Sequence, residues 1–129
     1  MLGLIMPASY LRTIDRVRLA AELKELFGRD LADQPPIIMR QLRAMSRYSA
    51  RNRLAELPRV PTLVVSGAHD LIAPPRLGRS LAQGIAGARF VEFPQAGHAL
   101  PIQCAAETND LLEKHVTAAE ESRRAQSST

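Results

Sequence analysis

The pattern of apolar and polar positions along the chain changes near Val60. Residues 1–59 carry apolar side chains at helical spacing, whereas residues 60–116 alternate short apolar runs with segments of helical period. The run at residues 62–65 is mostly apolar and rich in β-branched side chains, which predicts a strand buried on both faces of a parallel sheet. Arg89–Phe93 predicts a second strand. This alternation predicts an α/β chain with one right-handed βαβ crossover and a closing helix.

Helices are predicted on both sides of the second strand. Leu77, Leu81 and Ile85 recur every four residues, which predicts a helix over residues 75–85. A last helix is predicted over residues 103–116. Its apolar stripe consists of Ala105, Leu112, Val116 and Ala119.

The first 59 residues predict two helices joined by a loop. Ser9 is the candidate N-cap of the first helix, and Gly28 is its predicted C-terminal stop. The loop at residues 29–36 contains Asp33 and two prolines, which suit the start of the second helix. We interpret the basic side of that helix as its solvated face, the alternative being a stripe that binds an anionic partner. The apolar side consists of Ile38, Leu42, Met45 and Ser49, and the basic side of Arg40, Arg43, Arg47 and Arg51.

The composition narrows the class of protein. A chain of 129 residues that is 46% hydrophobic and 23% charged is expected to form one compact domain. Its one cysteine, Cys104, excludes an intrachain disulfide and favours a reducing compartment. No apolar run approaches the ~20 residues of a membrane span, and the start lacks the basic region of a secretory signal. We therefore expect a soluble cytoplasmic protein with no membrane partner.

The charge of the chain would suit a nucleic-acid partner, since the net charge is +4 and the isoelectric point is about 10.0. The arginines are, however, spread from Arg12 to Arg124. Aromatic residues make up 4% of the chain and tryptophan is absent, which leaves few side chains on which bases could stack. We therefore expect no nucleic-acid partner.

Two side chains with catalytic chemistry follow the two predicted strands. Asp70 comes shortly after the first strand, and His98 shortly after the second. The strands of a βαβ unit point the same way, so the loops after them emerge at one sheet edge, where ligands bind in open α/β sheets. Neighbouring strands lie ~4.8 Å apart, which brings a carboxylate and an imidazole within reach. Such a carboxylate orients the imidazole, which then takes a proton from a nucleophile or water.

With their flanks, these residues resemble the α/β-hydrolase family. Residues 60–70, Val-Pro-Thr-Leu-Val-Val-Ser-Gly-Ala-His-Asp, resemble the family's acid-bearing strand and loop. Residues 93–98, Phe-Pro-Gln-Ala-Gly-His, resemble the segment that delivers its histidine. The resemblance implies that Asp70 is the acid and His98 the histidine of a catalytic triad. Residues 36–116 carry most of the resemblance.

The resemblance also implies a fold and a division of the chain. The fold is a partial α/β-hydrolase fold, in which cap-like helices precede a βαβ-α unit of a parallel sheet. Residues 1–59 form the helical cap-like segment, residues 60–119 the C-terminal part of the hydrolase core, and residues 120–129 a polar tail that is expected to fray.

The family's nucleophile is missing from its expected place. It precedes the acid on a sharp turn written G-x-S-x-G, and no such pentapeptide occurs here. Ser80 lies in the nearest match, Gly-Arg-Ser-Leu-Ala, but inside a predicted helix and after Asp70. Ser66 ends a strand without flanking glycines in the required positions. We therefore expect the chain to represent the second half of a hydrolase and to be inactive alone, the implied nucleophile being a serine or, in some branches, an aspartate.

The implied function is hydrolysis of an ester, lactone, amide or related bond in a small molecule, with His98 as general base and Asp70 as its orienting acid. Neither a cofactor nor a metal is implied. The alternative is a non-catalytic remnant that acts through contacts. An incomplete sheet leaves strand edges and apolar surface uncovered, which favours self-association or pairing with a complementary chain.

Other readings of the same side chains remain open. The carboxylate of Asp70 is also suited to capping a turn, and His98 to being an unpartnered loop histidine. His69 and His115 are expected at the surface, and a metal site built from His69, Asp70 and His98 is not favoured. Cys104 is expected to be a small packing residue, the alternative being a thiol of lowered pKa.

Overall fold

The computed structural model describes residues 2–28, 37–57 and 60–127. Among these residues, no helix combines the length and the apolarity that crossing a bilayer requires. In chain order the elements are α1 (Leu2–Ile5), α2 (Ala8–Leu11), α3 (Arg16–Phe27), α4 (Ile37–Ser46), a 3-10 helix (Arg51–Glu56), β1 (Leu63–Gly67), α5 (Pro75–Gly84), β2 (Arg89–Phe93), α6 (Leu100–Gln103) and α7 (Ala105–Ser127).

The two strands lie side by side and parallel, with α5 connecting them. The register pairs Leu63 with Arg89 at one end and Gly67 with Phe93 at the other. The predicted βαβ unit is therefore confirmed, and β2 has the predicted bounds. The first strand begins one residue later than predicted and continues to Gly67, because its pairing with β2 continues that far.

Helix α5 packs closely on one face of the sheet. A Cβ atom at Gly78 would collide with the side chain of Ser66 and lie 3.2 Å from the ring of Phe90, so the glycine permits this approach. Leu77 and Leu81 are 48% and 42% exposed, which shows that they do not form the face turned to the sheet. The stripe expected from their spacing buries only its last member, Ile85.

The prediction that the first strand is buried on both faces holds only for the face that α5 covers. Val64 and Ser66, which point toward α5, are buried. Leu63 and Val65 point to the other face and are half-buried. The strand therefore has one closely covered face and one partly covered face.

The long N-terminal helix begins at a position different from the one predicted but ends where predicted. Asp15, not Ser9, caps the long helix α3, since its Oδ1 accepts from the backbone N–H groups of Val17 and Arg18. The predicted single helix is thus divided, and Ser9 lies inside α2 without a capping bond. Gly28 ends α3 as predicted, with a left-handed φ of 67° that favours glycine.

These N-terminal helices pack against the segment that follows β2. Met6, Leu11, Leu19 and Leu23 form one buried apolar cluster with Ala99. The contact between residues far apart in sequence brings the start of the chain beside the loop that carries His98. Cap-like character for the whole of residues 1–59 stays a prediction.

Helix α4 exposes the apolar side that the sequence predicted. Leu42 and Met45 are 50% and 70% exposed, and Ser49 lies beyond the end of the helix at Ser46. The loop expected at residues 29–36, with Asp33 and its prolines, lies outside the described residues.

The closing helix is longer than predicted and turns a different side inward. It starts after Cys104 and continues through Ser127, so residues 120–127 are helical rather than frayed. Thr108 and Leu111 are its buried residues, whereas Leu112 and Val116, from the predicted stripe, are 48% and 53% exposed. The helical period was right, but the phase was wrong, because the neighbouring elements decide which side is covered.

Candidate active site

The loops after β1 and β2 are joined by backbone hydrogen bonds. The N–H of Ala68 donates to the carbonyl oxygen of Phe93 at 2.9 Å, and the N–H of His69 donates to that of Ala96 at 2.9 Å. Gly67 makes this contact sterically feasible, since a Cβ atom there would lie 2.5 Å from the Ala96 oxygen and 2.6 Å from the Gly97 oxygen. The two loops therefore form one connected edge of the sheet.

Asp70 is buried in this edge and uses one carboxylate oxygen to hold its own loop. Its Oδ1 accepts from the backbone N–H groups of Ile72 and Ala73, both at 2.8 Å. This arrangement is an Asx-type turn, which holds the carboxylate in one orientation. The second oxygen, Oδ2, consequently has a defined direction.

His98 meets that second oxygen. Its Nδ1 lies 2.9 Å from Oδ2 of Asp70, and the side chains are 43% and 8% exposed, respectively. An ionised carboxylate can only accept, so Nδ1 carries the hydrogen and donates it. The lone pair of a neutral imidazole is then left on Nε2, which can accept a proton. The two alternatives for Asp70, turn cap and histidine partner, are therefore both realised, one by each oxygen.

The surroundings keep Asp70 ionised. Burial by itself would raise the pKa of this carboxyl group. The backbone N–H of Ala73, the His98 side chain and the N–H of Ile72 outweigh burial, so the pKa of Asp70 lies below its ordinary value. The carboxylate is thus charged at neutral pH, as an orienting partner for an imidazolium must be.

The His98 loop is held by groups that the sequence did not single out. The N–H of Gly97 donates to Oε1 of Gln103 at 2.9 Å, and the N–H of Ala99 donates to the carbonyl oxygen of Ile5 at 2.8 Å. Gly97 itself allows the N-terminal segment to approach, since a Cβ atom there would lie 2.8 Å from that same Ile5 oxygen. The one sequence signal was the glycine directly before His98.

A cleft of about 570 Å³ opens beside Asp70. Its walls come from two parts of the chain, the N-terminal helices and the loop between β1 and α5. Apolar and polar groups both contribute substantially to its walls, and its volume lies in the range of sites that take small organic ligands. Residues that line it include Met6, Pro7, Ser9, His69, Asp70 and Pro74.

The serine candidates lie elsewhere. Ser80 is exposed within α5, and Ser66 is buried on the face of β1 that α5 covers. Neither shows a hydrogen bond to the imidazole of His98, whose side-chain partner is Asp70.

The other titratable candidates do not extend the pair into a larger site. Burial, with a contribution from Glu107, raises the pKa of the Cys104 thiol, so the alternative of a lowered pKa is wrong. His69 is exposed, and His115 is half-buried on α7. In the described part of the chain, His, Cys, Asp and Glu side chains form no group of three or more that could hold a metal ion.

Comparison with known proteins gives relatives for most of the chain. The model of the alpha/beta hydrolase fold family matches residues 7–103. The pimeloyl-acyl-carrier protein methyl ester esterase of Neisseria meningitidis serogroup C is 37% identical over 79 residues, covering 57% of this chain and 30% of that protein. Rhodomycin D methylesterase of Streptomyces peucetius is 49% identical over 53 residues, covering 40% of this chain and 18% of that protein.

A solved structure shares the fold. The thermophilic esterase of Thermogutta terrifontis superposes with a TM-score of 0.67 at 22% identity, covering 92% of this chain and 42% of that chain. This chain therefore spans less than half of that solved structure, and less than a third of either methyl esterase. The fold expected from the sequence, a partial α/β-hydrolase fold, is confirmed. By the match over residues 7–103, the chain belongs to the alpha/beta hydrolase fold family.

Proposed function

We propose that this chain supplies the general base and the orienting acid of an ester-hydrolysing site. His98 is the base and Asp70 is the acid. The observation that carries the proposal is the 2.9 Å contact between Nδ1 of His98 and Oδ2 of Asp70, in a carboxylate whose other oxygen is occupied by its own loop. A pair fixed in this way leaves Nε2 of His98 ready to accept a proton.

The proposed reaction proceeds through a covalent intermediate, in which part of the substrate is bonded to the nucleophile. Nε2 of His98 removes the proton as a serine attacks the substrate carbonyl, and the charged Asp70 stabilises the imidazolium that results. The imidazolium then returns the proton to the leaving alcohol, and His98 activates a water molecule for the second step. With an aspartate nucleophile, the imidazole acts on water alone. Neither step draws on a metal or a cofactor.

The proposed substrate is a small carboxylic ester. Two relatives are methyl esterases by name, which makes methyl esters the first class to test. The cleft beside Asp70 supports a small organic substrate, since its volume of about 570 Å³ suits a small ester and its walls offer both apolar and polar surface.

A chimera tests this proposal. The segment of the Neisseria esterase that matches this chain is replaced by the corresponding residues of this chain, so that a nucleophile is present. We expect saturable hydrolysis of p-nitrophenyl esters and of carboxylic methyl esters, lost on His98→Ala and strongly reduced on Asp70→Asn. His115→Ala, a histidine on α7 outside the pair, is the matched control and should leave the activity unchanged. A folded chimera that hydrolyses esters without His98 would overturn the proposal.

A non-catalytic interaction protein is the second candidate. The observation that favours it is the exposure of large apolar side chains, such as Met45 at 70% and Val116 at 53%, on helices α4 and α7. A folded chimera that hydrolyses no ester would favour this alternative. The cytoplasmic location expected from the cysteine count stays a prediction.

A further inference from the structure

The backbone on both sides of His98 is fastened, and a side chain makes one of the two attachments. Gly97 donates its N–H to Oε1 of Gln103 at 2.9 Å, and Ala99 donates its N–H to the carbonyl oxygen of Ile5 at 2.8 Å. The first attachment precedes His98 by one residue and the second follows it by one. Only the first depends on the identity of a side chain.

The position of Gln103 makes this attachment specific. Gln103 is the last residue of α6, the short helix that begins directly after the His98 loop. Its side chain therefore reaches back over six residues to the loop from which its own helix starts. The amide must present its oxygen to Gly97, because a backbone N–H needs an acceptor.

The other end of the same amide makes no hydrogen bond within the described residues. Its Nε2 is buried. A buried donor without an acceptor is unfavourable, so within the described residues the favourable hydrogen bond of this side chain is the one that Oε1 accepts from Gly97. The acceptor on Oε1 is the feature that a leucine would not supply.

The direction of the imidazole depends on this backbone. Asp70 is fixed by its Asx-type turn, so the 2.9 Å contact from Nδ1 of His98 to Oδ2 requires the His98 backbone to be fixed as well. We propose that Gln103 is a positioning residue, which holds Gly97 so that the imidazole of His98 donates from Nδ1 to Asp70. The role of Gln103 in catalysis rests on the proposed function, whereas the hydrogen bonds from Gly97 to Gln103 and from His98 to Asp70 do not depend on it.

The tautomer of His98 tests this role, and its measurement does not require an active enzyme. Imidazole ¹⁵N chemical shifts, measured at about pH 8, where an ordinary histidine is neutral, give the ratio of the Nδ1–H to the Nε2–H form. In the wild type we expect the Nδ1–H form to dominate at His98. His69 and His115 provide reference signals in the same spectrum.

Two substitutions of Gln103 remove the acceptor for the Gly97 N–H, and a third keeps it. Gln103→Leu lacks the acceptor, and Gln103→Asn keeps the amide but shortens its reach. Each should lower the tautomer ratio at His98 by about twofold to tenfold, the range that corresponds to one hydrogen bond. Gln103→Glu keeps an oxygen at this position and should restore the ratio. Gln83→Leu, on the exposed side of α5, is the matched control and should leave the ratio unchanged.

The outcomes separate this proposal from the proposed function. A folded Leu or Asn variant with the wild-type ratio overturns the role of Gln103, whatever the chimera does. If both variants unfold, amide exchange in the wild type decides, because a Gly97 amide that exchanges as freely as an unpaired one overturns the role too. A changed ratio together with an inactive chimera leaves the positioning role intact and removes only the proposed function.

Discussion

Nδ1 of His98 lies 2.9 Å from Oδ2 of Asp70, although 28 residues and a complete helix separate the two in sequence. The parallel pairing of β1 and β2 places their loops at one edge, and backbone hydrogen bonds join the loops to each other. Asp70 uses its other oxygen, Oδ1, to cap its own turn. One buried carboxylate therefore organises both its own loop and the neighbouring imidazole.

This double use of Asp70 predicts different costs for two substitutions. Asp70→Ala leaves the N–H groups of Ile72 and Ala73 without their acceptor and should lower the free energy of unfolding by about 1–3 kcal/mol. Asp70→Asn keeps an oxygen in the Oδ1 position and should cost less. Urea unfolding followed by circular dichroism measures both. Equal losses for the two variants would contradict a capping role for Oδ1.

The lowered pKa of Asp70 predicts a dependence of stability on pH. The unfolded carboxyl group takes up a proton at its ordinary pKa and the folded one only at lower pH, so the unfolded state binds more protons between these values. The contribution of Asp70 is therefore complete above the ordinary pKa and is lost as the pH falls through the lowered one.

Urea unfolding at a series of pH values from about 6 to about 3 measures this contribution. Asp70→Asn should flatten the fall in stability over this range. Asp110→Asn, which changes an exposed carboxylate on α7, keeps Asp70 and should retain the fall. An unchanged slope in Asp70→Asn would show that this carboxyl group is not the source.

The close contact between the two loops predicts a severe effect of a single methyl group. In Gly67→Ala the new Cβ atom would lie 2.5 Å from the Ala96 oxygen, which belongs to the backbone and moves only with its loop. The expected loss is about 1–3 kcal/mol or more, with a weakened His98–Asp70 contact. Gly3→Ala is the control, since nothing lies within 4 Å of its Cβ atom in an exposed helix. Thermal unfolding of the two variants compares them, and equal melting temperatures would contradict the packing described.

The isolated chain is predicted to hydrolyse esters no faster than background. A general base with its orienting acid has no nucleophile to activate if neither Ser66 nor Ser80 reaches it. Incubation with p-nitrophenyl acetate over a range of concentrations measures the rate. Saturable hydrolysis that Ser80→Ala abolishes would show that a residue within α5 is the nucleophile after all.

The chain is also predicted to self-associate. The described part of the sheet has two strands, and large apolar side chains on α4 and α7 are exposed, Met45 and Val116 among them. Sedimentation velocity at micromolar concentrations should detect dimers or larger species. A monomer that unfolds cooperatively would mean that residues 1–59 complete the core.

The candidate pair was open to prediction from sequence because its determinants are local. Residues 62–65 and Arg89–Phe93 show the apolar runs of buried strands, and the polar residue that follows each run is placed by the strand itself. Parallel strands joined by one helix have their carboxyl ends at the same edge, so the loops that carry Asp70 and His98 lie side by side. The ends of α3 at Gly28 and of β2 at Phe93 follow from the same kind of local signal.

Tertiary structure alone decided which side of each helix is covered and what holds the His98 loop. Leu77 and Leu112 recur at the right period but are exposed. The face of α5 that packs on the sheet contains Gly78, and Leu111 is the leucine of α7 that is buried. The attachments from Gln103 and from the Ile5 carbonyl join groups that no sequence spacing connects. Periodicity specifies how often a side chain returns to one face, whereas the phase and the partners depend on which surfaces the folded chain brings together.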